Sequence, residues 1–203
     1  MNHYLYMVFS ATPYRMGRAI RMLTGETYNH VSVALDEDLT QMYSFARRYY
    51  RTPFYGGFVR ETKSRYHLGR KSAQICLCKV PVHPEQYEAI TQTLLEMHQK
   101  EDQYLYNHLS VWTALFHRPV KVKNAYTCVE FCNEILNLAG MHTPAGKYQS
   151  LGSLWKLLQP YAVYTGPIPK ADSFDETYFS KKPLASPVKT TLQAFCKLFP
   201  RVK

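Results

Sequence analysis

Two runs rich in β-branched and aromatic residues, at positions 28–35 and 40–46, are separated only by the acidic turn Asp36-Glu37-Asp38 and Leu39. So short a connection joins antiparallel neighbours, because parallel strands need a crossover of roughly a dozen residues or more. The chain is therefore expected to carry a hairpin early, and other elements must cover it. Residues 3–10 read as a first strand, 73–80 as a buried one, 58–61 as a short one and 161–165 as a last one. Between them lie stretches of helical period. Thr12-Pro13 supplies an N-cap and a first-turn proline for a helix over 14–23 that Gly25 closes. Pro84 starts a helix with Tyr87, Ile90, Leu94, Leu95 and Met97 near one face. Further helices are expected over 109–116 and 150–158, the latter stopped by Pro160.

Strands and helices mixed in this order predict an α+β fold, a small antiparallel sheet packed against helices. The 203 residues, 46% of them apolar, suffice for one core. Residues 1–165 are expected to form one domain. Residues 166–203 read as an irregular, proline-containing and basic extension, whose end (187–203) has the spacing of a short amphipathic helix.

One helix carries chemistry. In Tyr126-Thr127-Cys128-Val129-Glu130-Phe131-Cys132 a cysteine opens an amphipathic helix that Gly140 ends; Phe131, Ile135 and Leu136 or Leu138 point inward, while Glu130, Asn133 and Asn137 are free to face out. A helix N-terminus offers unpaired N–H groups and the positive end of the macrodipole, and both favour thiolate over thiol. Most free cysteines are simply small buried hydrophobes. The case for catalysis rests on a second residue, His30, which starts the strand Val31-Ser32-Val33-Ala34-Leu35 and supplies a base. Cys132, four residues after Cys128, could join it as a metal ligand, but no other His or Cys lies at finger-like spacing, so neither a metal nor another cofactor is expected.

Composition narrows the setting. No window approaches the roughly 18 uninterrupted apolar residues of a membrane span, and Met1-Asn2-His3-Tyr4 has neither a basic region nor a cleavage site, so a cytoplasmic location is expected. Five cysteines, an odd number, predict reduced thiols. A formal charge of +10 would draw phosphate, anionic lipid or an acidic partner. No nucleic-acid motif accompanies it, and no nucleic-acid partner is expected.

A strand-borne histidine in Tyr-Asn-His-Val-Ser-Val-Ala-Leu, a hairpin strand after it, and then Cys128 at a helix start resemble the circularly permuted papain-like family, relatives of NlpC-type cell-wall peptidases and of lecithin:retinol acyltransferase. The segment Tyr104-Leu105-Tyr106-Asn107 is similar to an aromatic-polar stretch of that family, and the resemblance covers residues 4–140. It implies a cysteine hydrolase or acyltransferase acting on an amide, ester or thioester bond of a peptide or lipid substrate. Cys128 is then the nucleophile and His30 the general base. The residue orienting the imidazole is expected near Ser44, with Gln41 a weaker choice; a hydroxyl stabilises imidazolium less than a carboxylate does. Oxyanion donors would be the Cys128 N–H and either Tyr126 or Tyr6. Arg47, Arg48, Tyr49 and Tyr50, directly after the hairpin, are candidates for substrate binding. The rival expectation is a papain-like scaffold of little or no activity, holding an anionic lipid or acidic partner through this loop and the C-terminal segment, in peripheral contact with the membrane.

Overall fold

The computed structural model describes residues 3–52, 54–114, 120–141, 150–180 and 196–202. In chain order these form β1 (His3–Ala11), α1 (Arg15–Thr24), β2 (His30–Ala34), β3 (Met42–Arg47), β4 (Gly56–Glu61), the two-residue pair β5 (His67–Leu68) and β6 (Lys71–Ser72), and β7 (Gln74–Val82). Then follow α2 (Pro84–Gln99), β8 (Leu105–Tyr106), α3 (His108–Ala114), β9 (Ala125–Tyr126), α4 (Cys128–Leu138), α5 (Leu151–Leu158), β10 (Ala162–Pro167) and α6 (Glu176–Phe179). The fold is α+β, with a six-stranded antiparallel sheet in the order β10-β7-β1-β2-β3-β4.

The sheet is buried on both faces because its strands are apolar on both. On one face Leu5, Met7, Phe9, Val31, Val33, Phe45 and Phe58 meet Ile90 and Leu94 of α2 and Phe131, Cys132, Ile135 and Leu136 of α4. On the other, Tyr6, Val8, Ala34 and Met42 pack against Tyr66, Leu77 and Ile168. No helix among the described residues is long and apolar enough to cross a membrane.

The hairpin of β2 and β3 forms, but its ladder is short. The two strands pair only at Val33–Tyr43 and Ala34–Met42, whereas β3 continues to Arg47 against β4. Toward His30 they part, and α4 packs against both. At the far end of β4, the chain passes so close to β8 that side chains would not fit: a Cβ on Gly57 would lie 2.4 Å from the Tyr104 carbonyl, and one on Gly56 would lie 3.0 Å from the Tyr106 Cβ.

Two local expectations need correction. Thr12 does not cap α1; its hydroxyl and N–H turn to Asn29 Oδ1 (3.3 and 2.9 Å), and Tyr14 takes the N-cap position without a side-chain bond. Glu130 does not point to solvent. It completes a capping box with Thr127 (2.7 and 3.1 Å) and accepts from Ser110 Oγ at 2.7 Å, tying the start of α4 to α3. The segment after β10 is held to the sheet side by Ile168 N–H donating to Ala73 (2.9 Å) and by an ion pair of Asp175 with Arg65 (2.7 Å). The expected helix over 187–203 and the end of the one over 109–116 fall partly outside the described residues.

Candidate active site

Thr127 is the N-cap of α4, so Cys128 is its first helical residue and the cap bonds leave the Cys128 N–H unspent. The thiol is 7% exposed. It lies near enough to His30, which stands where β2 parts from β3, for the two side chains to act on each other. Nε2 of His30 faces the two carboxylate oxygens of Glu61 at 3.2 and 3.3 Å and Ser32 Oγ at 3.2 Å. Nδ1 is the ring nitrogen left for the thiol.

Glu61 is the last residue of β4 and is nearly fully buried. Its Oε2 accepts from Ser32 Oγ and from Tyr66 OH, each at 2.5 Å, and those two hydroxyls are 2.9 Å apart. Charge-assisted bonds of this kind make ionisation tolerable inside a core. Burial opposes the Glu61 charge, but His30, Ser32 and Tyr66 outweigh it and hold the carboxyl at about 2. Burial likewise opposes protonation of His30; the Glu61 charge and hydrogen bonding to Cys128 and Glu61 prevail and raise it to about 10. The imidazolium and the carboxylate thus each keep the other charged.

Tyr106 also lies against Cys128. Its hydroxyl takes a hydrogen bond from the Cys128 backbone and contacts the Cys128 side chain; burial first, then the charges of Cys128 and Glu130, push its ionisation well up, so it remains a donor. The Cys128 N–H donates to the Tyr106 oxygen, so the two groups stand together at the start of α4, and an oxyanion would receive both once it displaces the bond between them.

The remaining sequence candidates lie elsewhere. Ser44 sits on β3 opposite Val59, with its hydroxyl buried and unbonded, so it does not orient His30; Glu61 does. Gln41 precedes β3, and its N–H donates to Asp36 at 2.7 Å. Tyr6 belongs to the face of the sheet away from α4 and donates to Glu37 at 3.0 Å. Tyr126 packs on Phe45, ring centres 5.1 Å apart.

The basic loop is occupied with its own chain. Arg47 lies over the Tyr14 ring at 4.8 Å and donates to Tyr178 OH at 2.8 Å. Arg48 reaches the carbonyls of Glu101 and Tyr104, Tyr49 stacks on Tyr55, and Tyr50 meets Tyr14 and Phe179.

The other thiols differ from Cys128 in setting. Cys132 is fully buried, and burial followed by the neighbouring Cys128 and Glu61 charges pushes it well up. Cys76 and Cys78 lie side by side on β7, sulfurs 4.0 Å apart; Cys78 bonding lowers Cys76 to about 6 while Cys78 itself is raised, and both are sealed in the core. Cys196 is exposed.

No family model, curated protein or solved structure matches this chain.

Proposed function

We propose that this protein is a cysteine-dependent hydrolase or acyltransferase acting on an amide, ester or thioester bond. The carrying observation is the placement of the His30 imidazole between the Cys128 thiol and the buried Glu61 carboxylate. Histidine first in the chain, a carboxylate from a following strand and the cysteine at a later helix start support a reading as a permuted papain-like enzyme.

In this mechanism the Cys128 sulfur attacks the carbonyl carbon as a thiolate, and negative charge passes to the carbonyl oxygen. The Cys128 N–H and Tyr106 O–H receive that oxyanion. The tetrahedral species collapses, His30, protonated at Nδ1, gives its proton to the leaving nitrogen, oxygen or sulfur, and an acyl-thioester on Cys128 remains. His30 then draws a proton from water or another acceptor, whose oxygen or nitrogen attacks the thioester; collapse of the second tetrahedral species frees Sγ. Glu61 stays ionised throughout and keeps Nε2–H directed at itself. A third member of this strength favours turnover over an inert scaffold.

The reading is tested by iodoacetamide labelling at pH 6 with each cysteine assigned by mass spectrometry. Cys128 is expected to react faster than the other four cysteines and to slow by about tenfold or more in His30→Asn. Equal labelling of Cys128 in both proteins, at the rate of the exposed Cys196, would sink it.

A further inference from the structure

The first helix presents the wrong side to water. Gly17 is the only buried residue of α1, and the side that touches the protein is polar: Arg21 donates to the Thr12 carbonyl (3.1 Å) and to Asn29 Oδ1, and a Cβ on Gly17 would lie 2.2 Å from Thr12 Oγ1. The side facing solvent carries apolar and cationic side chains together. Ala19, Ile20 and Leu23, with the half-buried Met16, recur at three-and-four spacing along one stripe, and Met22 lies on the flank that carries Arg15 and Arg18. Met22 and Leu23 are each 85% exposed.

The stripe is bounded by the exposed Arg15 and Arg18, and α1 contains no acidic residue. Isolated apolar side chains on a surface are ordinary, but two adjacent large ones left almost wholly exposed beside an apolar stripe are not. Apolar residues bordered by guanidinium groups suit the boundary between acyl chains and anionic headgroups. At ten residues, about 15 Å, the helix can lie in that boundary and cannot span it. A second copy of the same face would bring the cationic side chains together and is disfavoured by repulsion.

We propose that α1 is a membrane-docking helix, which inserts Ile20, Met22 and Leu23 into an anionic lipid surface while Arg15 and Arg18 contact its phosphates. Asn29, which anchors α1 through Thr12 and Arg21, immediately precedes His30, so docking would set the candidate site beside the bilayer. The proposal does not depend on Cys128 being catalytic.

The test is sedimentation of the full chain with phosphatidylcholine vesicles, with and without phosphatidylserine. Wild type is expected to bind the anionic vesicles, less so as salt rises. The double variant Met22→Gln/Leu23→Gln, which leaves charge unchanged, is expected to bind about tenfold more weakly or worse. Arg15→Gln/Arg18→Gln is expected to lose the preference for phosphatidylserine. Melting of all three should coincide, since the side chains replaced project into solvent. Wild type that ignores both vesicle types, or Gln variants at Met22 and Leu23 that bind as wild type, would overturn the proposal. So would self-association that disappears in the same variant, which would give the face to a second copy. Cys128 labelling should be the same in wild type and the variants, which separates failure here from failure of the catalytic reading.

Discussion

The carboxylate of Glu61 lies 3.2 Å from Nε2 of His30, two strands away in the sheet and 31 residues away in the chain. Both groups are nearly excluded from water, 13% and 5% exposed at the side chain, so their charges act on each other with little screening.

Stability should follow that pair through pH. Glu61 is depressed from 4.5 to about 2, so its contribution is complete above 4.5 and fades as pH falls through 2. His30 is raised from 6.5 to about 10, so its contribution is complete below 6.5 and is lost as pH rises through 10. The two shifts describe one interaction and do not add. Denaturant unfolding of wild type and Glu61→Gln should therefore differ most between pH 4.5 and 6.5, by about 3–5 kcal/mol, and converge toward pH 10. A constant difference across that range would contradict the pairing.

Ser44 offers the opposite case. Its hydroxyl is buried without a partner, so Ser44→Ala removes an unsatisfied group and should raise stability by up to about 1 kcal/mol. Iodoacetamide labelling of Cys128 should be unchanged. A marked fall in labelling would return Ser44 to the site.

Tyr106→Phe separates attack from oxyanion stabilisation. Alkylation passes through no tetrahedral oxyanion, so Cys128 labelling should stay near wild type. Turnover of an activated ester should drop about a hundredfold. Equal turnover would leave Tyr106 with a packing role alone.

Gly17→Ala would ordinarily favour a helix by about 1 kcal/mol. Here the added methyl meets Thr12 Oγ1 at 2.2 Å and Asn29 Nδ2 at 2.9 Å. The net change should be a loss of about 1–3 kcal/mol, read from chemical denaturation, and vesicle binding should weaken because α1 is pushed from its seat.

Most of this architecture is written locally. Strand runs, turn residues and the capping box at Thr127 and Glu130 act over a few positions, so the sheet class, Cys128 at a helix start and His30 at a strand start follow from reading the chain. Glu61 does not, because it meets His30 across the intervening β3 and 31 residues of sequence, and the register of those strands is set by non-local pairing. A glutamate ending a short strand was the available signal, but it was indistinguishable from a solvated end until that register was fixed. Tyr106 lay inside a segment already singled out, yet only the parallel pairing of β8 with β9 brings it to Cys128. α1 misled in a different way: its apolar spacing predicts a helix correctly, and the usual inference that such a face turns inward fails, since Gly17 and Arg21 seat the opposite face.

The parting of β2 from β3 also has a temporal side. His30 and Glu61 come from the first third of the chain, and Cys128 comes from an element much later in it, so no local segment holds both members of the proposed pair. Contacts of such separation close late when a chain folds. The acquisition of fast Cys128 alkylation during refolding is thus a clock for the docking of α4 into the fork between the two strands, and a chain with native helix content but a sluggish thiol would be one caught before that docking.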